Sequence, residues 1–220
     1  EDVYAQKDAL LEQIRAYTVK NAICSVTGDK KRVYSNPNPK YRVALFDFGY
    51  KRNIRNELVA RGCEVTVLPA LTSAGIMLSN GPGDPTENQA VIDNVRAVAE
   101  LGIPIFGICL GHQLLALSQG ARTEKLKYGH RGANQPVIDL QSGRTYVTSQ
   151  NHGYAVVGDS LDPSIGTVSH VNANDHTCEG IRYHKINAFT VQFHPEAHGG
   201  PLDTAYLFDE FLAGMEKEKM

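Results

Sequence analysis

Residues 103–108 are almost unbroken apolar sequence, and 110–117 continue apolar at helical spacing until Gly120 stops them. A strand without polar alternation is buried on both faces, so layers must lie above and below it; the fold this permits is a sheet flanked by helices. Cys109 falls at the turn between strand and helix. Gly107 and Gly111 flank it at minus two and plus two, the arrangement of a nucleophile elbow, where a strained turn needs small neighbours so that the central side chain projects above the sheet. A thiol at a helix N-terminus also feels the positive end of the helix dipole, which favours thiolate. A lone cysteine in such a turn is more often plain core, but glycines on both sides at the carboxyl end of a buried strand favour a nucleophile.

The rest of the chain supplies the layers. From Tyr41 onward strand and helix signals alternate, which predicts an α/β fold with an open, mostly parallel sheet flanked by helices. Strands are expected over 43–48, 64–68 and 76–79. A helix is expected over 50–61, with Ile54, Leu58 and Val59 inward and Gly62 ending it. After the glycine- and proline-rich turn at 80–85, Thr86 and Gln89 are expected to cap a helix whose Val91, Val95 and Val98 form one face. Beyond Gly120 short alternating segments at 146–149, 154–157, 166–171, 179–184 and 189–193 predict antiparallel strands added to the parallel core, making the sheet mixed. A closing amphipathic helix over 203–215 turns Leu207, Phe208, Phe211 and Leu212 inward. Residues 1–40 are polar and irregular, with a possible helix over 7–17 whose apolar face is Leu10, Leu11 and Ile14, and they read as a connecting segment ahead of a domain at 41–220. Glu1 is not an initiator methionine, so the sequence is expected to begin partway through a longer protein.

Composition removes several classes of function. A net charge of -2 with no basic stripe gives nucleic acid nothing to bind. The apolar runs are far too short to span a bilayer, and no signal peptide opens the chain, so a cytoplasmic protein without a membrane partner is expected. Cys24, Cys63, Cys109 and Cys178 are widely separated and form no C-x-x-C pair, which fits a reducing compartment. His194, Glu196 and His198 superficially resemble a metal cluster, but the P-C-x-x-C partner of a zinc deaminase is missing, and no metal site is expected.

A thiolate nucleophile needs a base to take and return its proton, and an orienter to fix that base. His194 and Glu196, two apart in an extended segment, share a face and offer both. Acyl transfer also needs donors aimed at the developing oxyanion. The N–H of Leu110 is the first candidate, and the second would come from Gly81 or Gly83, in a turn placed by the preceding buried strand at the carboxyl edge of the sheet, where α/β folds bind ligands.

Taken in order, Gly81-x-Gly83-Asp84-Pro85, Gly107-x-Cys109-x-Gly111-x-Gln113 and His194-Pro195-Glu196 resemble the class I, triad-type glutamine amidotransferase domain over about residues 41–216. The resemblance implies a flavodoxin-like fold and a Cys109-His194-Glu196 triad that hydrolyses the glutamine side-chain amide, with Gly81 and Leu110 as oxyanion donors. The segments 47–53, 129–136 and 150–154 are similar to the small, glutamine-hydrolysing subunits of carbamoyl phosphate synthetases. That narrower resemblance implies glutamine contacts from Gly83, Gln113, Asn151, Gly153 and Tyr154. It also implies a heterodimer in which ammonia passes to a large synthetase subunit serving arginine and pyrimidine biosynthesis. No cofactor is expected in this chain, which has no G-x-x-x-x-G-K-[ST]; ATP and magnesium are expected on the partner. Other synthetases have amidotransferase subunits too, and His130 to Pro136 argues against the anthranilate and guanylate types. Three departures stand out: nothing in this chain reads as the N-terminal domain that gives the family's glutamine site a serine, the insert between Leu71 and Ala74 is reduced to Thr72-Ser73, and the join from Lys30 to Tyr41 is short, so that either residues are absent from this sequence or it is a trimmed, catalytically incomplete form.

Overall fold

The computed structural model describes residues 6–16, 22–69, 76–198 and 202–217. Their elements in chain order are α1 (Lys7–Ala16), α2 (Ala22–Val26), β1 (Arg32–Tyr34), β2 (Tyr41–Phe46), α3 (Arg52–Ala60), β3 (Cys63–Leu68) and β4 (Ile76–Leu78). After a short 3-10 turn come α4 (Gln89–Ala99), β5 (Ile105–Ile108), α5 (Leu110–Ser118), β6 (Arg122–Asp139), β7 (Thr145–Val157), β8 (Gly166–Asn172), β9 (Cys178–Tyr183), β10 (Ala188–Val191) and α6 (Tyr206–Lys217). The ten strands form one sheet in the order β1-β3-β2-β4-β5-β10-β9-β7-β6-β8.

Strands β3, β2, β4, β5 and β10 run parallel, and their apolar runs are buried on both faces as an internal parallel sheet requires. One face packs Phe46, Ile76, Leu78 and Ile105 against Ile92 and Val95 of α4 and Leu114 and Leu115 of α5. The other packs Val43, Leu45, Met77, Phe106 and Ile108 against Ile54 and Leu58 of α3 and Leu207, Phe208 and Phe211 of α6. Phe106 centres this second layer, stacked on Phe189 at 4.5 Å and edge-on to Phe208 at 5.5 Å. From β10 onward the pairing turns antiparallel, and because β8 also pairs with β9, the strands β9, β7, β6 and β8 close on themselves. A closed ring leaves few free edges.

Several expectations need correction. Val59 is exposed, because it lies about 100° around α3 from Leu58, off the stripe by which Ile54 and Leu58, one turn apart, reach the core. Thr86 and Gln89 do not cap α4; Asp84 caps the 3-10 turn before it, accepting from the Thr86 N–H at 2.9 Å. The strand expected over 43–48 ends at Phe46, since Asp47 turns the chain by accepting from the Gly49 and Tyr50 N–H groups. The two segments at 146–149 and 154–157 are one strand, β7, and its 18-residue partner β6 was not anticipated, its polar run giving no apolar alternation to read. In the segment expected only to connect, β1 pairs antiparallel with β3, and Ala22 and Ile23 are buried. No residue of α1 is buried, so Leu10, Leu11 and Ile14 form no core face. Thr72 and Ser73, Glu1, Tyr17 and the side chain of Cys24 lie outside the described residues.

Candidate active site

Cys109 stands where β5 ends and α5 begins, with φ 54° and ψ -102°. An L-residue held there costs on the order of 1–3 kcal/mol, and such strain persists only where the surroundings over-determine it. Here the Cys109 N–H donates to Val191 O at 2.9 Å, and its carbonyl accepts from Gln113 N–H at 3.2 Å. The flanking glycines are required by contact: a Cβ on Gly111 would lie 2.4 Å from Leu78 O, and one on Gly107 would lie 2.8 Å from Thr190 Cγ2.

Beyond β10 the chain brings His194 to the same edge. Its N–H donates to Ser149 O at 2.9 Å, and its side chain hydrogen-bonds Cys109 on one side and Glu196 Oε1, through Nδ1 at 2.8 Å, on the other. All three residues are buried. Burial pushes the imidazole toward neutrality, but the Cys109 sulfur and then the Glu196 carboxylate push the other way and win, raising His194 to about 9. His194 is therefore an imidazolium at neutral pH, oriented by Glu196. Lys51 Nζ lies 3.8 Å from the same Glu196 oxygen, and Asn53 Nδ2 donates to the Glu196 carbonyl at 3.3 Å.

The turn carrying Gly81 is bolted to the loop after β2. Ser79 Oγ accepts from Phe48 N–H at 3.0 Å, and Asn80 Oδ1 accepts from Lys51 N–H at 2.8 Å. Gly81 is pressed so close to this loop that a Cβ would sit 2.2 Å from Phe48 O and 2.7 Å from Leu110 Cδ2. Gly81 thus packs against the Leu110 side chain, one residue on from Cys109, and lines the same cleft as Cys109. Among the described residues neither the Gly81 nor the Leu110 N–H has an acceptor, as for donors kept for a ligand.

Lys51, Gly81, Gly83, Cys109, Gln113, Arg131, Asn151, His152, Gly153, Tyr154 and His194 line one cleft of about 350 Å³ at the carboxyl ends of β4 and β5. Gln113 Nε2 donates to Tyr154 O and to Gln192 Oε1, both at 2.8 Å, which spends both amide hydrogens and leaves its Oε1 as an acceptor in a residue that lines the cleft. Tyr154 reaches across to Asp84, and burial and then that hydrogen bond raise its hydroxyl. Every residue singled out from the sequence except Glu196 and Leu110 lines this space; Glu196 stands behind His194, and Leu110 contributes its backbone. A larger hollow of about 440 Å³ at the other end of β5 and β10 is walled by the Arg182–Glu210 ion pair and Phe211, and none of the residues assigned to the chemistry lines it.

Sequence reasoning did not assign Lys51, Arg131, His152 or Gln192 to the site. Lys51, Arg131 and His152 sit inside the segments 47–53, 129–136 and 150–154, and only the fold shows which of those residues face inward. Behind the wall, ligand atoms of His130, His152 and Glu179 lie within 4.8 Å of one another. Both nitrogens of His152 and of His130 already face protein oxygens, so this cluster is built as a hydrogen-bond network.

The profile of the Glutamine amidotransferase class-I family matches residues 44–213. The chain is similar to the carbamoyl phosphate synthase small chain of Symbiobacterium thermophilum, 49% identical over 97% of this chain and 61% of that one. It is 53% identical to the small chain of Staphylococcus epidermidis over 88% of this chain and 56% of that one. The chain thus spans little more than half the length of these relatives. A glutamine amidotransferase from Thermotoga maritima has the same fold, with a TM-score of 0.58 at 18% identity over 82% of this chain and 85% of that one.

Proposed function

The chain belongs to the class-I glutamine amidotransferase family, and from that premise we propose that it hydrolyses glutamine and passes the ammonia to a large, ATP-dependent subunit that makes carbamoyl phosphate. Cys109 sulfur attacks the δ-carbonyl, and the Leu110 and Gly81 N–H groups take the charge that develops on its oxygen. The proton on His194 goes to the departing nitrogen as the C–N bond breaks, leaving a thioester and ammonia. His194, now neutral, takes a proton from water as that water attacks the thioester; glutamate leaves and the proton returns to the Cys109–His194 pair. Glu196 holds His194 upright throughout.

The cleft wall would grip the far end of the substrate. Gln113 Oε1 accepts from the α-ammonium, while Gly83, Asn151, Gly153 and Tyr154 supply polar backbone and side-chain groups around the α-carboxylate, so that the δ-carbonyl is held over the sulfur. The choice of carbamoyl phosphate synthesis is supported by the names of relatives about half identical to this chain. ATP and magnesium belong, in this reading, to the larger partner.

The convergence of Cys109, His194 and Glu196 at one cleft carries the proposal. In the full-length chain a diazoketone analogue of glutamine is expected to alkylate Cys109 selectively. Cys109→Ala is expected to abolish glutamine use while the assembled complex still works from free ammonia. Glutamine hydrolysis retained in Cys109→Ala would overturn the assignment.

A further inference from the structure

Asp47 follows β2 and does not line the cleft, and only 6% of its surface is exposed. Its carboxylate accepts three main-chain hydrogens. Oδ1 takes the N–H groups of Gly49 and Tyr50 at 2.9 and 3.2 Å, which folds the chain into a tight loop as it leaves the strand. Oδ2 takes the N–H of Gly28 at 3.0 Å, from the stretch that follows α2. Helix α2 meets the same loop by packing: Ile23 is buried in the layer of Phe46, Phe48 and Leu110, and a Cβ on Gly49, at φ 103°, would lie 2.7 Å from Val26 Cγ2.

That loop sets the turn that carries Gly81, and four of its main-chain groups meet the turn. The Phe48 N–H donates to Ser79 Oγ at 3.0 Å, the Lys51 N–H donates to Asn80 Oδ1 at 2.8 Å, and the Gly49 carbonyl accepts from Asn80 Nδ2 at 3.3 Å. The fourth is the Phe48 carbonyl, so close to Gly81 that a Cβ there would stand 2.2 Å from its oxygen. Gly81 has no side chain by which to be gripped, so its main chain stands where these neighbours leave it. Support thus runs from the Asp47 carboxylate to the loop at 47–51, from that loop to the turn at 79–81, and so to the Gly81 N–H.

We propose that Asp47 is a positioning residue for the oxyanion hole: it fixes the loop that aims the Gly81 N–H at the substrate carbonyl oxygen. This rests on the reading of Gly81 as an oxyanion donor. Without the carboxylate, the Gly49 and Tyr50 N–H groups lose the acceptor they share, and the loop relaxes toward others. Phe48 O then moves, and Gly81 moves with it. An oxyanion donor is worth most where it meets charge as that charge develops, so its displacement weakens the transition state more than the bound substrate. The Cys109 main chain is held by Val191 O and by Gln113 N–H, and it stays where it is.

The test is glutamine hydrolysis by the full-length protein beside alkylation of Cys109 by iodoacetamide. Both use the same thiolate, but alkylation is displacement at a saturated carbon and needs no oxyanion donor. Asp47→Ala is expected to lower kcat about tenfold, a share of what a lost donor costs, with KM within about twofold and alkylation at the parent rate. Lys51 is on the same loop and lies near Glu196, so the alkaline limb of the pH–rate profile is followed too and is expected to stay in place. Asp47→Asn keeps an acceptor for Gly49 and Tyr50 and is expected to recover most of kcat. Ser79→Ala breaks the bond to the Phe48 N–H without touching Asp47, and gives the same split if Asp47→Ala does not fold. An unchanged kcat, alkylation slowed in step with kcat, or a displaced alkaline limb would overturn the inference while leaving the function intact. A parent protein that does not hydrolyse glutamine would remove the function, and this inference with it.

Discussion

The parallel and antiparallel halves of the sheet meet at β10, and they furnish the cleft by different means. In the parallel half, functional atoms are set by the main chain: Cys109 by its left-handed turn, Gly81 by its approach to Phe48 O, and the Leu110 N–H by the first turn of α5. In the antiparallel half, side chains hold one another and meet backbone carbonyls: Gln150 joins His152 to Glu179, and the Tyr154 carbonyl meets both His152 and Gln113, which reaches across from α5. The register shifts between β6 and β7, at 125/130 and 132/135, fall where Arg131 and 151–153 turn toward the cleft. Such irregularities re-aim side chains beside active sites. Chemistry that needs one fixed arrangement is thus built into backbone, and recognition into a network that can be altered a residue at a time.

Substitutions should divide along the same line, with losses in kcat from the parallel half and in KM from the antiparallel one. The largest is expected for His194→Asn, which keeps a polar group but no proton to move: kcat should fall about a hundredfold to ten-thousandfold. An unaltered pH–rate profile in this variant would remove His194 from the mechanism. Gly81→Ala must shift the turn to relieve the 2.2 Å contact with Phe48 O, carrying its N–H away from the oxyanion. A loss of about a hundredfold to a thousandfold in kcat is expected, with thermal unfolding to check that the fold persists. Asn151→Ala, in the other half, should raise KM about tenfold with kcat little changed. A kcat loss there comparable to that of Gly81→Ala would break the division.

The same contrast explains what the sequence made legible. Helix α5 and strand β5 announce themselves by apolar period, and Gly107 and Gly111 bracket Cys109 because backbone geometry leaves them no alternative; backbone demands are written locally. Thus His194 and Glu196, two apart, could be paired before any fold was known. Strand β6 was not visible because its residues are partly exposed and irregular, and its two register shifts against the neighbouring β7 break up whatever alternation the pair would otherwise show. Lys51 is in the same position: nothing near it shows that Asn80 will turn its N–H and Glu196 will meet its ammonium. The true cap of the 3-10 turn, Asp84, lay two residues from the one expected, since Asx and Thr capping signals overlap at 84–89.

The smallest effect sets two histidines against each other, one from each half, both raised to about 9. His194 owes its shift to Cys109 and Glu196 overcoming burial; His130 owes its own chiefly to Glu179, against burial and with help from Asp175. Loss of the His194 proton removes the acid that releases ammonia, so activity should fall as pH rises through about 9. For His130 the consequence is stability. A histidine raised from 6.5 to about 9 by folding binds its proton more tightly folded than unfolded, so its contribution is complete below about pH 6.5 and is lost as pH rises through about 9. His194 titrates over the same range, so the informative quantity is the difference in Tm between the parent and His130→Gln. That difference should favour the parent at pH 6 and shrink steadily toward pH 10, while the alkaline fall in activity stays in place. A gap that is flat with pH would mean that the bond between His130 and the buried Glu179 stabilises the antiparallel ring by packing rather than by charge.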